Sequence, residues 1–137
     1  VPIVPLSMQT HEGPAHAYRV GQALSGLAEK NIWVIASGNI THNLRDWHVA
    51  ASTNGQTPAY VQHFADWVNT QLMANDVSAL LNYRQLAADG RQAHPSEDHL
   101  LPLYVALGAA GAGATPQAFY RGVSDYVITM DGYAFVN

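Results

Sequence analysis

The chain has 137 residues, enough for one domain with a sizeable core; 48% of them are apolar and only 12% are charged. A net charge of −4 with six lysines and arginines excludes the basic face that phosphate backbones require, so nucleic acid is not an expected partner. No apolar run approaches the roughly 18–20 residues that carry a helix across a bilayer, and the lack of cysteine excludes disulfides and thiolate metal sites. No signal peptide is in view, so the expected location is the cytoplasm. So low a charged fraction also suggests a surface partly covered by something outside the chain. The opening at Val1, mid-element and without an initiator methionine, reads as a fragment.

Residues 3–8 are the first expected strand, with Pro2 and Pro5 as imperfections. A loop containing His11-Glu12-Gly13-Pro14 follows. A helix is expected over residues 15–30, with Ala17, Val20, Leu24, Leu27 and Ala28 on one face and Arg19, Gln22 and Lys30 on the other. Asn31 is its stop, and the apolar run from Ile32 to Ala36 reads as a buried strand. Strand, helix and strand at this spacing form the βαβ pattern. The expected class is therefore α/β, a mostly parallel or mixed sheet flanked by helices with a right-handed crossover.

The stretch from Ser37 to Leu44 follows that second strand and presents His42. In open α/β sheets ligands sit outside the carboxyl ends of strands, so His42 is well placed for chemistry. The chain then stays polar and irregular through Asp46, His48, Ser52, Asn54 and Gly55. Thr57 caps, and Pro58 opens, a helix striped by Val61, Phe64, Val68 and Leu72. Asn75-Asp76 breaks it and caps a short second helix that ends near Asp89-Gly90. A second polar knot, His94-Pro95-Ser96-Glu97-Asp98-His99, leads into an apolar helix. Its expected start is Asp98 or His99, with Pro102 in the tolerated first turn and Gly108 as the stop. The small-residue segment from Gly108 to Ala114 follows a helix instead of a strand, so it is not read as a phosphate loop. Phe119 to Val123 and Tyr126 to Met130, continued by Gly132 to Val136, close the chain as strands. Asp131-Gly132 is either a hairpin turn or a bulge.

Most of the seven histidines need no function. His16, His48 and His63 read as packing or surface residues, and His11-Glu12 as a loop pair. A hydrolase built on Ser37, His42 and Asp46 fails on its elbow: the positions that need glycine hold Ile35 and Asn39. His42 and His99 lack a local metal-binding spacing. Their setting is more suggestive, one past a strand end and the other beside Glu97 and Asp98 at a helix start, where carboxylates are also favoured by the helix dipole alone.

At these residues the chain resembles a known family. Ala36-Ser37-Gly38-Asn39-Ile40-Thr41-His42-Asn43-Leu44-Arg45 is similar to the strand-end motif of the class III extradiol ring-cleavage dioxygenases, in their DOPA 4,5-dioxygenase-like branch. Pro95-Ser96-Glu97-Asp98-His99-Leu100-Leu101-Pro102-Leu103, continuing to Gly111, resembles the second motif of that branch, and Met130-Asp131-Gly132-Tyr133-Ala134-Phe135 its last strand.

The likeness makes residues 1–137 the carboxyl-terminal half of a catalytic domain. The amino-terminal half of such proteins supplies two further histidines, in an H-G-S-P type loop and an S-x-H-W type strand end, and neither motif occurs here. The resemblance implies a mononuclear non-haem metal, Fe(II) expected and Zn(II) the alternative, with open positions for a small aromatic diol and O2. It makes His99 a ligand, with Asp98 or Glu97 in its place as the alternative, and His42 either a ligand or the catalytic acid/base. The competing expectation is a non-catalytic metal-binding or protein-interaction domain that keeps the same fold.

Overall fold

Residues 1–136 are described by the structure, a computed structural model. Helix α3 (Ala59–Met73) is the axis of the core: Tyr60, Val61, Phe64, Ala65, Val68 and Leu72 are buried at the spacing of one helical face. Pro58, with extended backbone, is its N-cap residue in place of Thr57, so the helix starts one residue later than expected. Asn75 turns the chain with a φ of 54°, and Asp76 Oδ1 accepts the Ala79 N–H at 2.9 Å to start α4 (Val77–Leu81). The expected short helix breaks after Leu81 and resumes as a single turn, α5 (Tyr83–Leu86); a further turn, α6 (Gly90–Ala93), follows where that helix was expected to end.

The first expected helix is split. Helix α1 (Gly13–Ala23) ends where the Ser25 hydroxyl donates to the Gln22 carbonyl at 2.9 Å, and residues Ser25–Lys30 continue as a 3-10 turn. Asn31, with a φ of 57°, is the stop that the sequence implies. Helix α1 packs on α7 (Leu101–Ala110) through two glycines. A Cβ on Gly21 would overlap the Val105 carbonyl, and one on Gly108 would overlap the Tyr18 carbonyl. Gly108 is thus an interior contact of α7 and not its stop, which falls at Gly111. The stretch after His42 also contains a helix, α2 (Leu44–Ser52), whose N-cap Asn43 accepts the Asp46 N–H through Oδ1 at 3.3 Å.

The sheets differ from the parallel arrangement expected. Strand β1 (Thr115–Tyr120) pairs antiparallel with β4 (Gly132–Val136), with an irregularity between Ala118 and Tyr120. Strand β2 (Val123–Ser124) pairs antiparallel with β3 (Ile128–Thr129), the turn between them carrying Asp125 and Tyr126 at positive φ. Asp131-Gly132 therefore links β3 to β4 and is not the hairpin turn. Residues 3–8 and 32–36 form no ladder among the described residues, so the parallel pairing does not occur within this chain. Most of their large apolar side chains stand in solvent, Ile3 and Val4 each 89% exposed, Trp33 86% and Ile35 83%, while Met8 and Val34 pack against the core. A strand needs a neighbour for its N–H and C=O groups. These two segments have strand-like sequences and no neighbour here.

Candidate functional site

The two polar knots are laced together along their backbones. The Asn39 N–H donates to the His99 carbonyl at 2.8 Å, and the His42 N–H to the Ala93 carbonyl at 2.9 Å. The Asn43 amide donates to the Gln92 carbonyl at 2.8 Å. Gly38 makes this approach possible, since a Cβ there would overlap the His99 carbonyl oxygen. Thr41 fastens the lacing to the last hairpin: its hydroxyl donates to the Val127 carbonyl at 2.8 Å and accepts the Thr129 N–H at 2.9 Å.

His94 is the innermost tie. It is fully buried, its Nε2 lies 2.6 Å from the Ile40 carbonyl, and its Nδ1 has no hydrogen-bond partner. The carbonyl can only accept, so Nε2 carries the proton and Nδ1 the lone pair. Burial drives the His94 pKa down to about 4, against a smaller upward pull from the Ile40 carbonyl. The sequence shows His94 only as a member of a polar knot; nothing local to it reveals the long-range bond to Ile40.

This lacing brings His42 and His99 into contact, with ring centroids 3.5 Å apart and planes 9° from parallel. His99 Nδ1 is 3.3 Å from Asn39 Oδ1, and its Nε2 is 3.5 Å from Asp98 Oδ2. Acceptor oxygens thus flank both ring nitrogens, while a neutral imidazole has one proton to offer. One N–H therefore serves one of these oxygens, and a second proton or a cation serves the other. Burial first, and then the neighbouring His99, lower the His42 pKa, with Asp98 pulling the other way. A lowered pKa keeps its lone pair available for a cation or a proton.

The two carboxylates of the knot diverge. Asp98 stays at the histidine pair and accepts the Ser96 hydroxyl at 2.6 Å. Glu97 is held elsewhere: its Oε1 accepts from the Tyr83 hydroxyl at 2.9 Å and from Arg84 Nε at 3.0 Å. Arg84 Nη2 also donates to the His94 carbonyl at 2.8 Å, so α5 braces the knot through this pair. The remaining candidates lie apart from one another. His11 pairs with Glu12 at 3.6 Å, His63 with Asp89 at 3.6 Å, His48 packs edge-on against Trp47, and Asp46 accepts from Gln92.

His42, His99 and Asp98 are donor side chains gathered in one place. Among the described residues no group of three histidine, cysteine, aspartate or glutamate side chains is arranged to hold a metal ion. The parallel stack also directs the two lone pairs along parallel planes, so shared coordination requires one ring to turn. Beside His42 lies a cavity of about 190 Å³ lined by His42, Asn43, Leu44, Arg45, Pro95 and Ser96. That is smaller than the roughly 300–1,000 Å³ of typical ligand pockets.

Residues 1–135 match the family model described as the catalytic LigB subunit of aromatic ring-opening dioxygenase. The chain belongs to this family. Similar curated proteins agree with the resemblance carried by the two motifs. The 4,5-DOPA dioxygenase extradiol of Mirabilis jalapa is 35% identical over 121 residues, covering 88% of this chain and 44% of that protein. That of Beta vulgaris is 28% identical over 137 residues, covering all of this chain and 50% of that protein. A solved structure of an uncharacterized Escherichia coli protein superposes with a TM-score of 0.80 at 24% identity, covering 96% of this chain and 53% of that one. It shares the fold, and the match to half of it agrees with a partial α/β domain. The chain spans about half the length of the curated relatives it matches.

Proposed function

We propose that residues 1–137 form the carboxyl-terminal half of a metal-dependent extradiol dioxygenase that opens a catechol-type, DOPA-like ring with O2. The observation that supports this most is the contact between His42 and His99, two imidazoles from separate motifs held together by a backbone lacing. The rest of the site comes from the amino-terminal half of the same protein, which pairs with residues 3–8 and 32–36. The location in this proposal is the cytoplasm.

His99 would hold the metal through Nε2, leaving Nδ1–H to donate to Asn39 Oδ1, the outer hydrogen bond that orients metal-binding imidazoles. Asp98 is its alternative in that role. When bound, Fe(II), or Zn(II) as the alternative, supplies Lewis acidity toward the diol oxygens, and iron also supplies the electronic access that O2 needs. His42 either completes the donor set or takes a proton from the diol at its ring nitrogen, and its lowered pKa keeps it neutral for both roles. Both atoms of O2 enter the product as the carbon–carbon bond beside the diol breaks, so no external reductant is consumed.

The deciding experiment loads the full-length protein with Fe(II) anaerobically, then adds a catechol and air. A yellow ring-opened product is expected, and its absence with several catechols overturns the reading. The exposed Ile3, Val4, Trp33 and Ile35 favour a second reading, a non-catalytic metal-binding or interaction domain. Tightly bound zinc without oxygen consumption is its signature.

A further inference from the structure

Of the three histidines in the two knots, His94 alone has no part in the ring-cleavage reading. It is fully buried, walled by Phe64 and Tyr83 with ring centroids 5.9 and 6.5 Å away, and so it is not placed to touch a substrate. Both walls stand on core helices, α3 and α5, and both meet the imidazole edge-on, which fixes its tilt.

What His94 does touch is the chain beside His42. Three consecutive residues at the head of the second knot grip the first one. The Gln92 carbonyl accepts the Asn43 amide at 2.8 Å, the Ala93 carbonyl accepts the His42 N–H at 2.9 Å, and His94 Nε2 donates to the Ile40 carbonyl at 2.6 Å. The backbone around His42 is thus held from both sides by the segment that goes on to carry His99. Only the last of these bonds uses a side chain of the gripping segment. Arg84 Nη2 steadies that segment from behind by donating to the His94 carbonyl at 2.8 Å.

Resting on the ring-cleavage reading, we propose that His94 is a positioning residue: acting through the Ile40 carbonyl, it sets the stacking of His42 on His99, 3.5 Å between centroids. A buried carbonyl that loses its donor turns toward another, and the chain two residues on turns with it. Misplacing a reacting group by about 1 Å costs roughly a hundredfold in rate.

The test compares two uncharged amides in the full-length, Fe(II)-loaded protein. Glutamine puts its amide nitrogen where Nε2 stands; asparagine puts it nearer Nδ1, short of Ile40. His94→Gln is expected to keep kcat within about threefold of wild type, and His94→Asn to lower it roughly a hundredfold with KM for a catechol little changed. In the metal-free protein, nuclear magnetic resonance reads the ring protons of His42 and His99; His94→Asn should move them and His94→Gln should not. Unmoved rings in His94→Asn overturn the assignment even where the melting temperature falls, since that is the pattern of a purely structural residue. Equal loss of kcat in both variants overturns it too. If His94→Asn does not fold, His94→Met, which fills the site without a donor, takes its place under the same criteria. Wild-type ring nitrogen shifts need no variant, and a proton on His94 Nδ1 overturns the proposal outright. If the wild type opens no catechol ring, the ring-cleavage reading fails, and the ring signals alone decide the role of His94.

Discussion

The imidazoles of His42 and His99 lie face to face, 3.5 Å between centroids, although each belongs to a separate polar knot. Stacking of this kind places two lone-pair carriers side by side with Asp98 against one of them. In the full-length protein His42→Ala and His99→Ala are each expected to abolish ring opening. His99→Ala should also lower bound metal, measured by elemental analysis after loading and desalting. Unchanged metal content moves the ligand role from His99 to Asp98.

Gly38 is where the two knots come closest. Its missing side chain leaves room for the His99 carbonyl, which accepts the Asn39 N–H at 2.8 Å. The obstacle to a Cβ is backbone, which cannot step aside as a side chain can. Gly38→Ala is expected to destabilise by about 1–3 kcal/mol, the range for overpacking, and to slow turnover by displacing His99. A melting temperature equal to wild type shows that the knots can separate without cost.

Gly108→Ala tests the contact between α1 and α7. Alanine in a helix interior is favoured over glycine by about 1 kcal/mol on propensity alone. Here the added methyl meets the Tyr18 carbonyl, and Gly21 stands opposite. Overlap should outweigh propensity and lower the melting temperature. A rise instead would mean that the helices slide apart easily.

What could be read along the chain was local. The stripe of α3, the break at Asn75-Asp76 and the stop at Asn31 follow from spacing and turn chemistry, and all three stand in the structure. Gly108 looked like a stop because glycine commonly ends helices; the Gly21 contact that explains it comes from far away in sequence. Helix α2 was hidden by its polar residues, although Asn43 was there as its cap. Residues 3–8 and 32–36 read as parallel strands because β-branched runs favour strands, but pairing needs a neighbour, and the described residues provide none. Within the site, the two motifs were legible through their resemblance to a family, whereas the ties made by His94, Asn39 and Arg84 are tertiary and leave no local mark.

Glu97 separates bracing from coordination. Its Oε1 already accepts from Tyr83 and Arg84. Glu97→Gln keeps the shape and removes the charge, leaving Arg84 without its carboxylate in a partly buried position. A loss of about 1–3 kcal/mol in denaturant stability is expected, below the cost of breaking a fully buried pair because solvent reaches both partners. Metal content should stay at the wild-type level. Loss of metal would instead make Glu97 a ligand.

His94 should give the fold an acid-side weakness of its own. Its pKa is about 4 in the folded chain against an ordinary value of 6.5, because burial penalises the charged ring. Between those values the unfolded state binds more protons than the folded one, so stability rises with pH across the window. The contribution is fully present above about pH 6.5 and is lost as pH falls through the window toward 4, amounting to about 3 kcal/mol at 1.36 kcal/mol per unit. Urea unfolding at several pH values measures it. His94→Gln retains an amide donor for the Ile40 carbonyl and has no titrating group, so its stability should start lower at pH 7 and fall less steeply toward pH 4. Parallel slopes for the two proteins would show that the acid sensitivity arises elsewhere and that the His94 ring is not held neutral by its burial.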